Sequence, residues 1–172
     1  MWSSALLMIL LFICVMTDIR KRKIYNAVLF PFLLVGITIH TVTAGLLGLS
    51  SSLLGGLVGL GILLIPYLLG GMGAGDVKLL AVIGALKGMT FVFMAAINMA
   101  LAGGAIALLI LLFRKGMKKS LFQFITYIHG IRHGVKIPLM FDREGLKTTY
   151  PYGIAIALGA IFQLLHPGGF QI

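Results

Sequence analysis

Two of the four acidic residues in this chain lie where a membrane protein could use them for chemistry. Asp18 follows the first apolar run, Trp2 to Thr17, and Asp76 lies in Gly73-Ala74-Gly75-Asp76-Val77-Lys78, between a glycine-rich break and another apolar run. Because removing a carboxylate from water is costly, acids at such positions usually face a polar cavity or a partner. Two facing carboxylates that share a proton can activate a water molecule for peptide hydrolysis.

Each acid also has a simpler interpretation. Asp76 could be the N-cap of the following helix, and Asp18 could be a solvated interfacial residue that pairs with Arg20 or Arg22. The occurrence of both acids together, among so few, favours the paired chemistry. Asp18 is expected at a helix C-terminus and Asp76 at a helix N-terminus, so the helix dipole predicts that Asp76 is the more easily ionised and that Asp18 more often holds the proton, an order that burial could reverse.

The residues around Asp76 suggest how a substrate could reach it. Gly73 and Gly75 have no Cβ, so they can adopt positive φ and let an extended substrate approach the backbone beside Asp76. Lys78 could orient Asp76 electrostatically, although a residue that marks the cytoplasmic edge of the membrane is the favoured interpretation.

Other chemistries fit the sequence less well. The single Cys14 excludes a four-cysteine zinc module, and no acid or cysteine near His129 and His133 completes a metal site, so neither a metal nor a cofactor is expected. The net charge of +10 comes from basic residues in loops between apolar runs, so no nucleic-acid partner is expected. Asn98 is predicted to bond between helices.

The composition is typical of a polytopic membrane protein, with 60% hydrophobic and 10% charged residues. The apolar runs are continuous and do not alternate with polar residues, which predicts helices and not the strands of a barrel. We therefore predict an all-α membrane bundle that forms a single domain over residues 1–172. Membrane lipid is then an obligatory partner.

Six helices are predicted to cross the membrane, because each crossing needs about 20 apolar residues. The second and third runs are separated by an uncharged connector, 46–52, which is predicted to be an outside loop. Val77 to Phe113 is too long for one crossing and is predicted to break at Lys87 to Thr90, giving a short fourth helix and a longer fifth. The last run extends from about Tyr150 to Leu165.

The distribution of basic residues predicts the orientation of the bundle. With both termini outside, thirteen of the fourteen Lys and Arg residues are cytoplasmic, and only Lys87 is outside. Asp18 and Asp76 then lie on the cytoplasmic face. The segment 114–149 is predicted to be a basic cytoplasmic loop. It could contain an interfacial helix on anionic lipid or a loop helix packed on the bundle.

Three segments resemble motifs of the type IV prepilin peptidases, a family of six-span membrane aspartic proteases. Gly73 to Leu80 resembles the Gly-x-Gly-Asp signature of that family. Asp18 to Asn26 is similar to the segment that carries its first catalytic aspartate, with Tyr25 in place of the usual proline. Tyr150 to Ala155 resembles the Pro-Tyr/Phe-Gly start of its last helix.

This resemblance implies an aspartic endopeptidase in the inner (plasma) membrane, with Asp18 and Asp76 as catalytic residues. Its substrates would be prepilins or pseudopilins, cleaved after their leader peptide at the cytoplasmic face. The chain is most similar to the short peptidases of tight-adherence (Flp) pilus systems, so methyltransferase activity is not expected. Two alternatives stay open: an archaellin-type signal peptidase, and a small transporter in which the acids relay ions or protons. The sequence does not determine the oligomeric state.

Overall fold

The computed structural model describes residues 2–113 and 152–166, which form five helices and, within those ranges, no strand. The basic segment 114–149, with His129 and His133, lies outside the described residues. One compact unit comprises Met1–Gly103 and Pro151–Ile172, and the other comprises Gly104–Tyr150, of which only the end of one helix is described. The helices are α1 (Trp2–Lys21), α2 (Asn26–Leu68), α3 (Ala74–Lys87), α4 (Met89–Phe113) and α5 (Tyr152–Leu165).

Three of the described helices are long and apolar enough to cross a membrane. They are α1, α2 and the first 18 residues of α4, with mean hydropathies of 2.1, 2.0 and 1.8. Helix α5 is also apolar but shorter. The protein is therefore a helical membrane protein, as its composition predicted. Six crossings and outside termini stay predictions.

Helix α2 contains the second and third predicted runs, and the chain reverses between them at one residue. Gly45 has φ 60° and ψ −138°, a conformation that glycine adopts without steric cost. The prediction of a loop over 46–52 is wrong, because these residues are helical. Gly48 makes the tight reversal possible: a Cβ on this residue would collide with the carbonyl of His40.

Helix α3 is the central helix of the described bundle, and nine of its fourteen residues are buried. The two halves of α2 run in opposite directions along it. Asn26 and His40 contact Lys78 and Leu86 in one half, whereas the order is reversed in the other half, where Ser52 and Gly59 contact Ala85 and Leu80. A helix that is apolar on all sides is expected to be enclosed in this way.

Small residues bring α2 and α3 into backbone contact. A Cβ on Gly55 would collide with the carbonyl of Gly84, and a Cβ on Gly84 would collide with the carbonyl of Gly55. One turn further along α2, Gly59 lies against the carbonyl of Leu80 in the same manner. Such close approach is typical of helix pairs in membranes, where van der Waals packing replaces the hydrophobic effect.

Side-chain hydrogen bonds also tie the helices together. His40 Nε2 and Ser52 Oγ lie 3.1 Å and 2.8 Å from the carbonyls of Leu86 and Ala85, which have no partner within α3. Asn98 donates to Gln163 Oε1 of α5 at 3.2 Å, which confirms the prediction that Asn98 bonds between helices.

The helix breaks lie where the sequence predicted them. Gly88, with φ 87°, separates α3 from α4 and confirms the break at Lys87 to Thr90. Helix α2 ends at Leu68, and beyond its C-cap Leu69 the N–H groups of Gly70, with φ 76°, and Gly71 donate to the carbonyls of Tyr67 and Pro66. A glycine just past the C-cap is a usual end of a helix.

Candidate functional site

Asp18 lies in the last turn of α1 and is buried, with 7% of its surface exposed. Its Oδ2 accepts a hydrogen bond of 3.1 Å from the backbone N–H of Gly153, the second residue of α5. Arg22 follows the end of α1 with φ 49°, and its N–H donates to the carbonyl of Asp18 at 2.8 Å. Burial argues against the alternative in which Asp18 is a solvated interfacial residue.

Asp76 lies in the first turn of α3 and is also buried, with 9% of its surface exposed. Its Oδ2 accepts a hydrogen bond of 3.2 Å from the backbone N–H of Gly73. Gly73 is the N-cap of α3, and Asp76 is the third residue of the helix. The alternative in which Asp76 is itself the N-cap is therefore wrong, although its carboxylate does bond to the N-cap residue.

The two carboxylates are in electrostatic contact. The pKa of Asp76 is raised to about 6: burial raises it most, the hydrogen bond from the N–H of Gly73 lowers it, and the charge of Asp18 raises it. Helices α1 and α3 pack against each other, which brings the two acids to the same end of the bundle. The helix dipole predicted an easily ionised Asp76, but here desolvation outweighs the dipole.

The glycines and the lysine around Asp76 make contacts with other parts of the bundle. Gly73 has φ −82° and Gly75 is helical, so neither glycine adopts the positive φ that the absence of a Cβ permits. Gly75 is required for packing, since a Cβ there would lie 2.9 Å from the Cβ of Ile24. Lys78 is exposed, and its Nζ donates to Asn26 Oδ1 at 3.1 Å. Its amino group therefore links α3 to α2, as expected for a residue at the edge of the bundle.

Gly153 is the site residue that sequence reasoning missed. The run Pro151-Tyr152-Gly153 was interpreted only as the start of a helix, whereas its glycine N–H contacts one of the two aspartates. The available signal was the motif itself: a glycine in the first turn of a helix costs stability unless its N–H or its missing side chain is used.

The described part of the site offers two buried carboxylates and backbone donors. Among the described residues, no group of three or more His, Cys, Asp and Glu side chains could hold a metal ion. Within the same ranges, every buried side-chain nitrogen and oxygen has a hydrogen-bond partner. Such a pair can hold one proton and pass it to and from a water molecule, which is general acid–base chemistry.

Comparison with known proteins identifies the family. The sequence profile of the type IV leader peptidase family matches residues 5–108, a range that contains most of α1, all of α2 and α3, and most of α4. Both buried aspartates lie inside the match, and Gly153 lies outside it. No curated protein and no solved structure matches the chain. The match covers more than half of the sequence, and the chain belongs to the type IV leader peptidase family.

Proposed function

We propose that this protein is a membrane aspartic endopeptidase that removes the leader peptide of prepilins or pseudopilins, with Asp18 and Asp76 as its catalytic pair. One observation supports this proposal above the others. Two acids far apart in sequence are both buried at adjacent helix ends, and the charge of one raises the pKa of the other. Membership of a leader peptidase family supports a protein with a leader peptide as the substrate.

In the proposed reaction, one proton is shared between the two carboxyl groups. The ionised carboxylate removes a proton from water while the water oxygen attacks the carbonyl carbon of the scissile peptide bond. The protonated carboxyl group donates its proton to the carbonyl oxygen, which gives a tetrahedral diol. The diol then collapses: the C–N bond breaks, the leaving nitrogen takes the proton that came from water, and the other carboxylate recovers its own proton.

The assignment of general base and general acid follows from what surrounds the two groups. The raised pKa of Asp76 favours Asp76 as the group that holds the proton first. We therefore assign Asp18 as the base, the reverse of what the helix dipole predicts. Because the two groups interact, the pH–rate profile reports the pair and not either residue alone.

We further propose that the aspartates face the cytoplasm across an inner membrane. Exposed basic residues at 20–23 and Lys78 lie at the aspartate end of the bundle, whereas Lys87 bonds to Ser4 Oγ at the opposite end. The positive-inside rule then places the aspartate end in the cytoplasm. Single cysteines at Lys23 and at Ser50, in a Cys14→Ala background, test this with an impermeant thiol reagent. Labelling of position 23 from outside intact cells would contradict the orientation.

The proposed activity is tested with the purified protein in proteoliposomes and a full-length prepilin as substrate. Asp18→Asn and Asp76→Asn keep the size of each side chain but cannot exchange the proton, so each is expected to lower cleavage by about a thousandfold or more. Gly61→Ala is the matched control, because a Cβ at Gly61 meets no atom within 4 Å. Wild-type cleavage by either aspartate variant would disprove the paired mechanism.

The substrate class is tested separately. A prepilin, an archaellin precursor and an ordinary secretory precursor are offered to the wild-type protein under the same conditions. Cleavage of the prepilin alone supports the proposed class. Preferential cleavage of the archaellin precursor would instead support the alternative that the sequence left open.

A further inference from the structure

We propose that Gly153 is a positioning residue for Asp18. Its backbone N–H holds one carboxylate oxygen, and the absence of a side chain leaves the space that this oxygen occupies. The inference rests on the proposed function and extends the site to α5, a helix outside the matched residues 5–108.

The N–H of Gly153 is available because of its place in α5. The helix begins at Tyr152, so Gly153 lies in the first turn, where N–H groups have no partner within the helix. Its donor lies 3.1 Å from Oδ2 of Asp18, a side chain with only 7% of its surface exposed. Water has little access to replace this bond, so the N–H fixes the orientation of the carboxylate.

The missing side chain of Gly153 is equally specific. An ideal Cβ at this position would lie 2.6 Å from Oδ2, 3.1 Å from Cγ and 3.3 Å from Cβ of Asp18. The first distance is shorter than any van der Waals contact, so any other residue would displace the carboxylate. A glycine is therefore required for the donor and the acceptor to approach.

The position of α5 is itself fixed by packing. Gly159 lies against the backbone of Ala95 and Met99 in α4, and Gln163 accepts the hydrogen bond from Asn98. These contacts fix α5 against α4, and α5 also packs against α1. Oδ2 of Asp18 is then occupied by the N–H of Gly153, and we assign Oδ1 to the attacking water.

The first test removes the donor without adding an atom. Cell-free translation with glycolate at position 153 replaces the N–H by an ester oxygen, and the same replacement at Ile154, whose N–H does not donate to Asp18, is the control. We expect the ester at 153 to lower kcat by about tenfold or more, as for loss of one hydrogen bond to a charged group, with KM unchanged. The pH–activity profile should move to higher pH, because the ionised pair has lost a donor.

Two outcomes of this first test would overturn the inference. One is a wild-type kcat and pH profile for the ester at 153. The other is an equal loss of kcat for the esters at 153 and 154, which would show a general effect of esters in this turn.

The second test measures stability and does not depend on activity. Gly153→Ala should lower the melting temperature in detergent, since Asp18 must move, and the loss should be much smaller in an Asp18→Ala background, where Oδ2 and Cγ are absent. Equal losses in both backgrounds would show that position 153 does not contact Asp18.

The two tests separate this inference from the proposed function. If the wild-type protein does not cleave prepilin, or if Asp18→Asn cleaves it normally, the proposed function fails. The melting temperatures of Gly153→Ala in the two backgrounds still test the contact between Gly153 and Asp18. If the aspartate variants are inactive but the ester at 153 behaves as wild type, only the role of Gly153 fails.

Discussion

Asp76 and Asp18 each accept a hydrogen bond from a glycine N–H, at 3.2 Å and 3.1 Å, but the two glycines lie at very different distances along the chain. Gly73 is three residues before Asp76, whereas Gly153 is 135 residues after Asp18. The geometry of Asp76 is thus set within one helical turn. That of Asp18 depends on the correct docking of the last described helix. The same kind of hydrogen bond therefore joins neighbours in sequence at Asp76 and distant residues at Asp18.

The largest difference in cleavage rate should be between Gly153→Ala and Gly73→Ala, which each add one methyl group beside an aspartate. Gly153→Ala forces a contact of 2.6 Å with Asp18, and a displaced catalytic group can lower kcat by about a hundredfold. Gly73→Ala creates a contact of only 3.3 Å with Asp76 at an ordinary φ, so we expect less than about a fivefold loss. Both are measured as single-turnover cleavage of a prepilin. A greater loss for Gly73→Ala would reverse the comparison.

Burial of Asp76 predicts a pH dependence of stability. Its pKa is raised from 3.8 to about 6 in the folded protein, so this group stabilises the fold fully below about pH 4 and the contribution is lost as the pH rises through about 6. Asp76→Asn should therefore stabilise the protein by up to about 3 kcal/mol at neutral pH and flatten the pH dependence.

Thermal unfolding in detergent over this pH range measures the effect of Asp76→Asn. Lys78→Gln is the control, because Lys78 is exposed and its amino group bonds to Asn26. Wild-type stability that rises with pH between 4 and 6 would contradict the prediction, and so would an unchanged slope in Asp76→Asn.

The local geometry at Asp76 still depends on where α3 lies, and the packing of α2 on α3 can be tested directly. Gly55→Ala places a Cβ against the carbonyl of Gly84, where only backbone can yield, so the free energy of unfolding should fall by about 1–3 kcal/mol. Gly61→Ala in the same helix meets no atom within 4 Å and should be neutral or slightly stabilising. Reversible unfolding in mixed micelles compares the two. Equal effects would show that this contact does not position α3.

The smallest expected effect is at the end of α1, where Arg22 lies close to Asp18 in the sequence. Arg22 has φ 49°, a left-handed conformation that costs about 1 kcal/mol for a residue with a side chain. Arg22→Gly should recover about this amount, seen as a higher melting temperature. Arg22→Ala keeps the conformational cost and should not. A lower stability for Arg22→Gly would show that the arginine side chain contributes more than its backbone costs.

Several features could be predicted because they depend on short stretches of sequence. The helix break at Gly88, the glycine-rich break before Asp76 and the apolar character of α1 follow from local propensity and from runs of one residue class. The pairing of Asp18 with Asp76 was predicted by a coarser argument: a carboxylate at a membrane edge is costly, so an acid there usually has a partner or faces a polar cavity. The structure places both of them, buried, at the same end of the bundle.

Other features were predicted incorrectly because several conformations fit the same residues. The uncharged segment 46–52 suits a loop or a helix equally well, and in the structure it is helical, with Gly48 packed against the backbone of His40. Gly73 and Gly75 could adopt positive φ, but glycine also serves where a neighbour comes close, as Ile24 does at Gly75. Composition does not distinguish these two uses of glycine.

The sequence by itself determined that this protein is helical and lies in a membrane, and it identified the two aspartates. Each of these conclusions rests on hydropathy, charge and motifs that are read along the chain. Only the tertiary structure decided that α3 is the enclosed centre, that α2 reverses at the single residue Gly45, and that Gly153 holds Asp18. These facts depend on which atoms come into contact after folding. A contact between residues 135 positions apart produces no periodic pattern in the sequence from which it could be predicted.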